Sequence, residues 1–206
     1  MAAIIFDFDG TLADSFDYVA DFLAKEAGIN KLSDEQRHEL RGLSINGMVR
    51  RLGYHWWDAP RLYFKGQRRM RHAIRHLDSF EGMTQLLSKL HAEGHELFIL
   101  STNSLRNIRH FLHVKKIHKC FLEIYGSVGM FGKSPALRQL LKEQNLDAKQ
   151  VFYVCDEQRD IEAARAAGIR SVAVSWGFAD KDELKAAKPT AMADTPAELM
   201  RILEEV

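Results

Sequence analysis

Short apolar runs closed by polar turn residues recur at both ends of the chain. Ala3–Phe8, Leu97–Leu100, Phe121–Tyr125, Val151–Cys155 and Ser171–Ser175 each read as a strand buried on both faces. Between them, apolar residues at helical spacing predict helices over Met83–Glu93, Leu105–His113, Ala136–Gln144 and Ile161–Ala167. Gly94 and Gly168 stand where helices stop, directly before the next strand. Strands alternating with helices predict an α/β fold, a doubly wound parallel sheet covered on both faces. From Ser15 to about Phe80 the rhythm fails. That stretch has no strand pattern and reads as helices over Phe16–Ala27, Asp34–Arg41, Asn46–Leu52 and Pro60–Leu77. The expected division is therefore an α/β core of residues 1–14 and 81–206, with a small all-helical domain of residues 15–80 inserted after the first strand.

Composition narrows the setting without naming a function. The 206 residues suffice for one well-formed core and a modest insert. A formal net charge of +1 gives no overall pull toward nucleic acid or membrane. The longest apolar runs, such as Leu97–Leu100, are far too short to span a bilayer. Met1–Phe8 run straight into a strand pattern, with no basic segment, long apolar segment or small-residue cleavage site. Only Cys120 and Cys155 occur, so no disulfide framework is implied, and a cytoplasmic location is the expectation.

The chemistry lies at the strand ends. The first strand runs into Asp7-Phe8-Asp9-Gly10-Thr11-Leu12. Alternation puts Asp7 and Asp9 on one side if the strand continues, and Gly10 lets the chain turn sharply. In a doubly wound sheet ligands bind at the C-terminal ends of the strands. Two acids there need a cation or a divided protonation to coexist. The second strand ends at Ser101-Thr102-Asn103, whose hydroxyls and backbone donors suit phosphate oxygens. After the third comes Gly132-Lys133-Ser134, a fixed positive charge near a helix start, which favours an anion. The fourth ends at Asp156, with Asp160 four residues on. Hard oxygen ligands clustered in this way suit magnesium. The Gly-Lys-Ser triplet also imitates the tail of a nucleotide-binding loop, but the glycine required five residues earlier is Ser127.

These motifs, in this order, resemble the haloacid dehalogenase superfamily, close to its phosphoglycolate phosphatase-like branch with a helical cap after the first motif. The resemblance rests on Asp7-x-Asp9-Gly10-Thr11-Leu12, Ser101-Thr102-Asn103, Phe131-Gly132-Lys133 and Asp156 through Ala164. It continues through Ala167-Gly168-Ile169 and Trp176-Gly177-Phe178. It implies a Rossmann-like core and a magnesium-dependent phosphatase acting on a small-molecule phosphate ester. Asp7 would be the nucleophile. Asp9 would protonate the leaving oxygen and then activate water, and Lys133 would neutralise charge. Ser101, with Thr102, Asn103 and Gly10, would hold the phosphate. Asp7, the backbone carbonyl of Asp9, and Asp156 would hold Mg²⁺, with Asp160 supporting the metal's waters or Lys133. Dehalogenase-like members lack an acid at the position of Asp9, because a halide leaves without a proton, so Asp9 favours an alcohol leaving group. The family's usual glycine before Asp156 is replaced by Cys155, which reads as a small buried side chain.

Other features read as structure first. Arg50, Arg51, Arg61, Lys65, Arg68, Arg69, Arg71 and Arg75 lie in a stretch whose only acid is Asp58. They read as a solvated helix face, then as steering for an anionic substrate, and last as a nucleic-acid contact, which is not favoured. His72 and His76 form an i, i+4 pair with no evident third metal ligand. Trp56, Trp57, Tyr63 and Phe64 read as cap core, and Trp176 and Phe178 read first as structure after the last clear strand, with a place at a pocket rim as the lesser alternative. A phosphomutase and a catalytically idle binding module are the alternative functions, and oligomeric state is open.

Overall fold

The computed structural model describes residues 2–128 and 132–204. A six-stranded sheet has the order β5-β4-β1-β6-β7-β8, with every pairing parallel. Its strands are β1 (Ala3–Phe6), β4 (Glu96–Leu100), β5 (Phe121–Tyr125), β6 (Val151–Cys155), β7 (Arg170–Val174) and β8 (Ala191–Ala193). A two-residue ribbon pairs β2 (Ala13–Asp14) antiparallel to β3 (Asp78–Ser79). The helices are α1 (Phe16–Glu26), α2 (Asp34–Leu40), α3 (Ile45–Arg51), α4 (Ala59–Ala73), α5 (Met83–Ala92), α6 (Leu105–Val114), α7 (Lys133–Glu143), α8 (Gln158–Ala167), α9 (Lys181–Ala186) and α10 (Pro196–Glu204).

Strand alternation sorts side chains onto two faces. Ile4, Phe6, Leu97, Ile99, Phe152, Val154, Val172 and Val174 join one apolar cluster with residues of α5, α6 and α10. Ala3, Ile5, Phe98, Leu100, Tyr153, Cys155 and Ala173 join the other, with residues of α7, α8 and α9. The strands are apolar on both faces because both faces are covered, as the doubly wound reading expects. Cys155 is fully buried in the second cluster, as its small-side-chain reading expects.

The chain leaves β1 for β4 and β5 on one side, then returns to β6, β7 and β8 on the other. The loops after β1 and its two neighbours therefore diverge and open a crevice at the C-terminal end of β1. Above it, α1–α4 enclose a third apolar cluster built on Phe16, Phe22, Leu23, Leu40, Met48 and Leu62, which also takes in Phe178. Ser33 and Gln36 form a capping box on α2, and Ser44 caps α3. This is the helical cap. Among the described residues, no helix is long and apolar enough to cross a membrane.

Some expectations need correction. The first strand stops at Phe6, not Phe8. The Phe8 carbonyl accepts the N–H groups of Leu12 at 2.9 Å and Ala13 at 3.0 Å, so the chain curls immediately. Asp7 and Asp9 therefore do not share an unbroken strand. The strandless stretch contains β3, too short to show a period. Lys133 itself opens α7, three residues before the predicted start. Trp56, Trp57 and Phe64 are not cap core: they are 83%, 59% and 65% exposed. The inward face of α4 is taken by Leu62 and Met70, which leaves Phe64 on the outside. Tyr63 alone of that group turns toward the core, as a hydrogen-bond donor.

Candidate active site

Asp7 follows Ile5 by two residues and faces the same side of the sheet, toward α7 and α8. There Lys133 Nζ stands 2.7 Å from Asp7 Oδ2 and 2.6 Å from Asp160 Oδ2, and donates to the Tyr153 hydroxyl at 2.9 Å. The Phe8 N–H donates to Asp7 Oδ1 at 2.7 Å. A single ammonium thus holds one acid from the end of β1 and one from the first turn of α8. Burial works against ionisation of both acids. The charges of Lys133 and Arg159 overcome it at Asp160, whose carboxyl falls below the usual range. At Asp7 burial dominates, with Asp160 and Asp156 adding to it against the pull of Lys133, and the carboxyl is pushed well up. Burial also opposes the charge on Lys133, but its two carboxylates hold the ammonium protonated.

Asp156 follows β6. Its Oδ1 accepts from the Thr11 hydroxyl at 3.0 Å and its Oδ2 from the Phe178 N–H at 2.8 Å. Burial first, then the neighbouring Glu157 carboxylate, pushes the Asp156 pKa up to about 7. The backbone around it has no spare room. A Cβ on Gly10 would lie 2.1 Å from Asp156 Oδ2, and one on Gly177 would lie 2.3 Å from Asp156 Cβ. Gly10 also holds φ +75°, a conformation that side chains resist. Its N–H donates to the Ala13 carbonyl at 3.0 Å, closing a turn that makes space for Asp156.

Asp9 is half-buried, and its Oδ2 accepts from Asn103 Nδ2 at 2.9 Å. Burial raises its pKa despite that bond. Ser101 is buried at the end of β4, where its hydroxyl accepts the Asn103 N–H at 3.1 Å. Ser104, not Ser101, caps α6. Thr102 is half-buried and offers its carbonyl to the Tyr63 hydroxyl of the cap at 2.9 Å. Asn103 directs its amide to Asp9. The described structure thus gathers Asp7, Asp9, Ser101, Asn103, Lys133, Asp156 and Asp160 at the crevice. Phe131 of the third motif lies outside the described residues.

Sequence reasoning missed several members. Thr11 and the Phe178 N–H fix Asp156. The ring N–H of half-buried Trp176 donates to the Thr11 carbonyl at 3.2 Å. Tyr153 reads as one more apolar strand residue, yet its hydroxyl touches Lys133. Glu157, only 2% exposed, pairs with Arg159 Nε at 2.6 Å. Half of the basic run of the cap is engaged in ion pairs within the cap. Arg61, Lys65 and Arg69, spaced four apart, gather round Glu26 of α1 at 3.9, 2.5 and 3.0 Å, and Arg51 pairs with Glu39. His72 and His76 are exposed.

The donor set suits a hard divalent cation. Asp7, Asp156, Glu157 and Asp160 are buried carboxylates, while Lys133 is the one buried cation among the described residues. Asp9 Oδ1 and Asp160 Oδ1 are buried without a hydrogen-bond partner. Among the described residues, no three His, Cys, Asp or Glu side chains form a metal cage by themselves. Magnesium does not need one, since it binds through one or two carboxylates and keeps several waters.

A doubly wound sheet with an acid pair, a lysine and a further acid pair at its switch point defines a hydrolase core of the phosphoryl-transfer kind. The chain belongs to the haloacid dehalogenase-like hydrolase family, whose sequence model matches residues 4–174. It is 37% identical over 209 residues to a phosphoglycolate phosphatase from Synechococcus elongatus, covering 100% of this chain and 99% of that one. A 5′-nucleotidase from Pseudomonas aeruginosa is 27% identical over 215 residues, covering 98% and 95%. Among solved structures, a haloacid dehalogenase-like hydrolase from Streptococcus pneumoniae superposes with a TM-score of 0.79 at 24% identity, covering 98% of each chain. The protein is a phosphatase of this family.

Proposed function

We propose that this phosphatase hydrolyses small phosphomonoesters through an aspartyl-phosphate on Asp7, with magnesium as its metal. The observation that carries the reading is Asp7 held 2.7 Å from the Lys133 ammonium at the switch point, beside a separately held Asp9. An oxygen of Asp7 attacks phosphorus, the bond from phosphorus to the ester oxygen breaks, and Asp9 gives its proton to that oxygen. A water oxygen then attacks the phosphoryl group, its proton passes to Asp9, and the Asp7 carboxylate is released. The covalent intermediate divides one hard displacement into two easier ones. Lys133 offsets the negative charge gathered on Asp7 and the phosphoryl oxygens, and Ser101 holds one of those oxygens.

Asp7, Asp156 and the backbone carbonyl of Asp9 would hold the metal. Magnesium there supplies charge neutralisation for Asp7, Asp156 and the transferring phosphoryl group. Asp160 serves by fixing Lys133. Residues 15–80 act as a cap domain on the core of residues 1–14 and 81–206, closing over the crevice and shaping the ester's alcohol portion. The relatives' names make 2-phosphoglycolate and nucleoside 5′-monophosphates the first substrates to try. Cys120 and Cys155 are both free and buried, which fits a reducing, cytoplasmic setting.

The test is phosphate release from a panel containing both ester types, with and without magnesium, for the wild type and Asp7→Asn. The reading expects magnesium-dependent release that Asp7→Asn abolishes. Full activity of a folded Asp7→Asn protein would overturn it. Transfer of phosphoryl to a sugar acceptor without release would favour the mutase alternative.

A further inference from the structure

A chain of amides, half-buried at Gln67 and buried at Asn107 and Asn103, runs from the cap to Asp9. Gln67 of α4 accepts the Ser104 N–H at Oε1, at 2.9 Å. Asn107 Nδ2 donates to Gln67 Oε1 at 3.1 Å, to the Gln67 carbonyl at 3.2 Å and to Asn103 Oδ1 at 3.0 Å. Asn103 Oδ1 also accepts the Ser104 N–H at 2.8 Å. That leaves Asn103 Nδ2 pointing at Asp9 Oδ2. Asn103 and Asn107 are each 1% exposed.

An amide side chain can turn end for end, so its orientation must come from its partners. Here two backbone groups decide every case. The Ser104 N–H can only donate, which makes Oδ1 of Asn103 and Oε1 of Gln67 the acceptors. The Gln67 carbonyl can only accept, which makes Nδ2 of Asn107 the donor. With Asn107 and Ser104 both presenting donors, a reversed Asn103 would set its own NH₂ against them and its carbonyl oxygen against Asp9. Half of this arrangement belongs to the cap, because Gln67 supplies both cap acceptors for Asn107.

Resting on the acid–base role proposed for Asp9, we infer that Gln67 and Asn107 are positioning residues that tighten the alignment of Asp9 through Asn103 when the cap is seated. Cap closure then steadies the proton donor as well as enclosing the ester. A raised cap removes two acceptors from Asn107 and leaves the Ser104 N–H as the one backbone group that still orients Asn103, so the donor facing Asp9 is held less firmly. The device requires an acceptor at position 67, not a glutamine as such.

Tyr63 supplies the internal control. Its hydroxyl also ties α4 to the core, at the Thr102 carbonyl, but that bond lies off the route to Asp9. The experiment compares Gln67→Leu, Gln67→Glu, Tyr63→Phe and Asp9→Asn on 2-phosphoglycolate, together with first-turnover phosphorylation by p-nitrophenyl phosphate, whose leaving group needs little proton assistance. Gln67→Leu should lower kcat on the alkyl ester about 10- to 100-fold, the usual cost of a misplaced catalytic group, with KM little changed. It should hardly slow the first turnover of the aryl ester. Gln67→Glu, still an acceptor, should restore most of kcat, and Tyr63→Phe should alter KM more than kcat. Equal slowing of both esters by Gln67→Leu, or a Tyr63→Phe profile identical to it, would overturn the inference in favour of simple cap loosening. An inactive Asp9→Asn beside a fully active Gln67→Leu would overturn the relay alone. A fully active Asp9→Asn would remove the acid–base role, and the relay with it.

Discussion

The core and the cap each hold a cluster of opposite charges, built in mirror image. In the core one cation, Lys133, serves two acids, Asp7 and Asp160, and the three side chains are 4%, 8% and 1% exposed. In the cap one acid, Glu26, serves three cations, Arg61, Lys65 and Arg69. Glu26 is 4% exposed, but its partners are 56%, 46% and 40% exposed. Attraction between unit charges at such distances is many times stronger in a poorly solvated interior than in water. The core cluster therefore shifts the protonation of everything it touches, whereas the cap cluster fastens α4 to α1 through charges that solvent largely screens. The sign of the excess differs as well. The core has surplus negative charge, which suits a bound cation; the cap has surplus positive charge, which lies on the surface.

The largest expected effect comes from breaking the core cluster. Lys133→Met removes the ammonium that two buried acids share. Loss of transition-state charge stabilisation of this kind costs about 10²–10³-fold in kcat. Leaving buried acids without their partner also costs about 3–5 kcal/mol. Phosphate release and urea unfolding measure the two losses, and added salt should restore neither. A Lys133→Met protein with wild-type stability would mean that the acids are better solvated than their burial implies.

A smaller effect comes from closing the space around Asp156. Gly177→Ala puts a methyl group where Asp156 Cβ and Oδ2 already lie within 2.3 Å. Asp156 or the Trp176–Phe178 turn must move, which strains the Phe178 N–H bond to the carboxylate. The expected result is weaker magnesium activation, by about 10-fold or more, read as the metal concentration needed for half-maximal release. An unchanged magnesium requirement would separate Asp156 from the metal.

The smallest effect belongs to the cap. Glu26→Gln should lower Tm by about 2–4 °C, corresponding to about 1 kcal/mol in a chain of this size. The hydrogen bond from Lys65 is the main influence holding the Glu26 carboxyl below its usual range, with burial opposing it and the Arg69 and Arg61 charges assisting. A carboxyl depressed in the folded state stabilises the fold above its unfolded pKa, and that stabilisation is lost as pH falls through the folded value. The Tm gap between Glu26→Gln and the wild type should thus be widest near neutral pH and close in acid. It should also shrink with salt, unlike the Lys133→Met deficit. A gap independent of both would mean that shape, not charge, holds Glu26.

What could be read from the sequence follows the same division. The core strands were legible because residues such as Ile4, Ile5 and Phe6 must be apolar on both faces, and the motif residues because strand ends collect polar groups at one edge. Lys133 was legible as a charge. Its helix was placed late, although Pro135 in the first turn is compatible with a helix that starts at Lys133. The bond from Asn103 to Asp9 went unread, since nothing local tells an amide that Asp9 lies opposite. Thr11, Tyr153 and Gln67 went unread for a related reason. Their partners are 145, 20 and 37–40 residues away, and only the assembled fold brings them together. In the cap, Phe64 was judged by hydrophobicity, but its exposure was decided by which side of α4 met α1.

The most direct test of the account is to quench the enzyme during turnover of 2-phosphoglycolate with magnesium and map its peptides by mass. The account predicts one added phosphoryl group on the peptide carrying Asp7, acid-stable enough to detect, and none in Asp7→Asn. Turnover without any phosphorylated peptide, or a phosphoryl group on another residue, would contradict it.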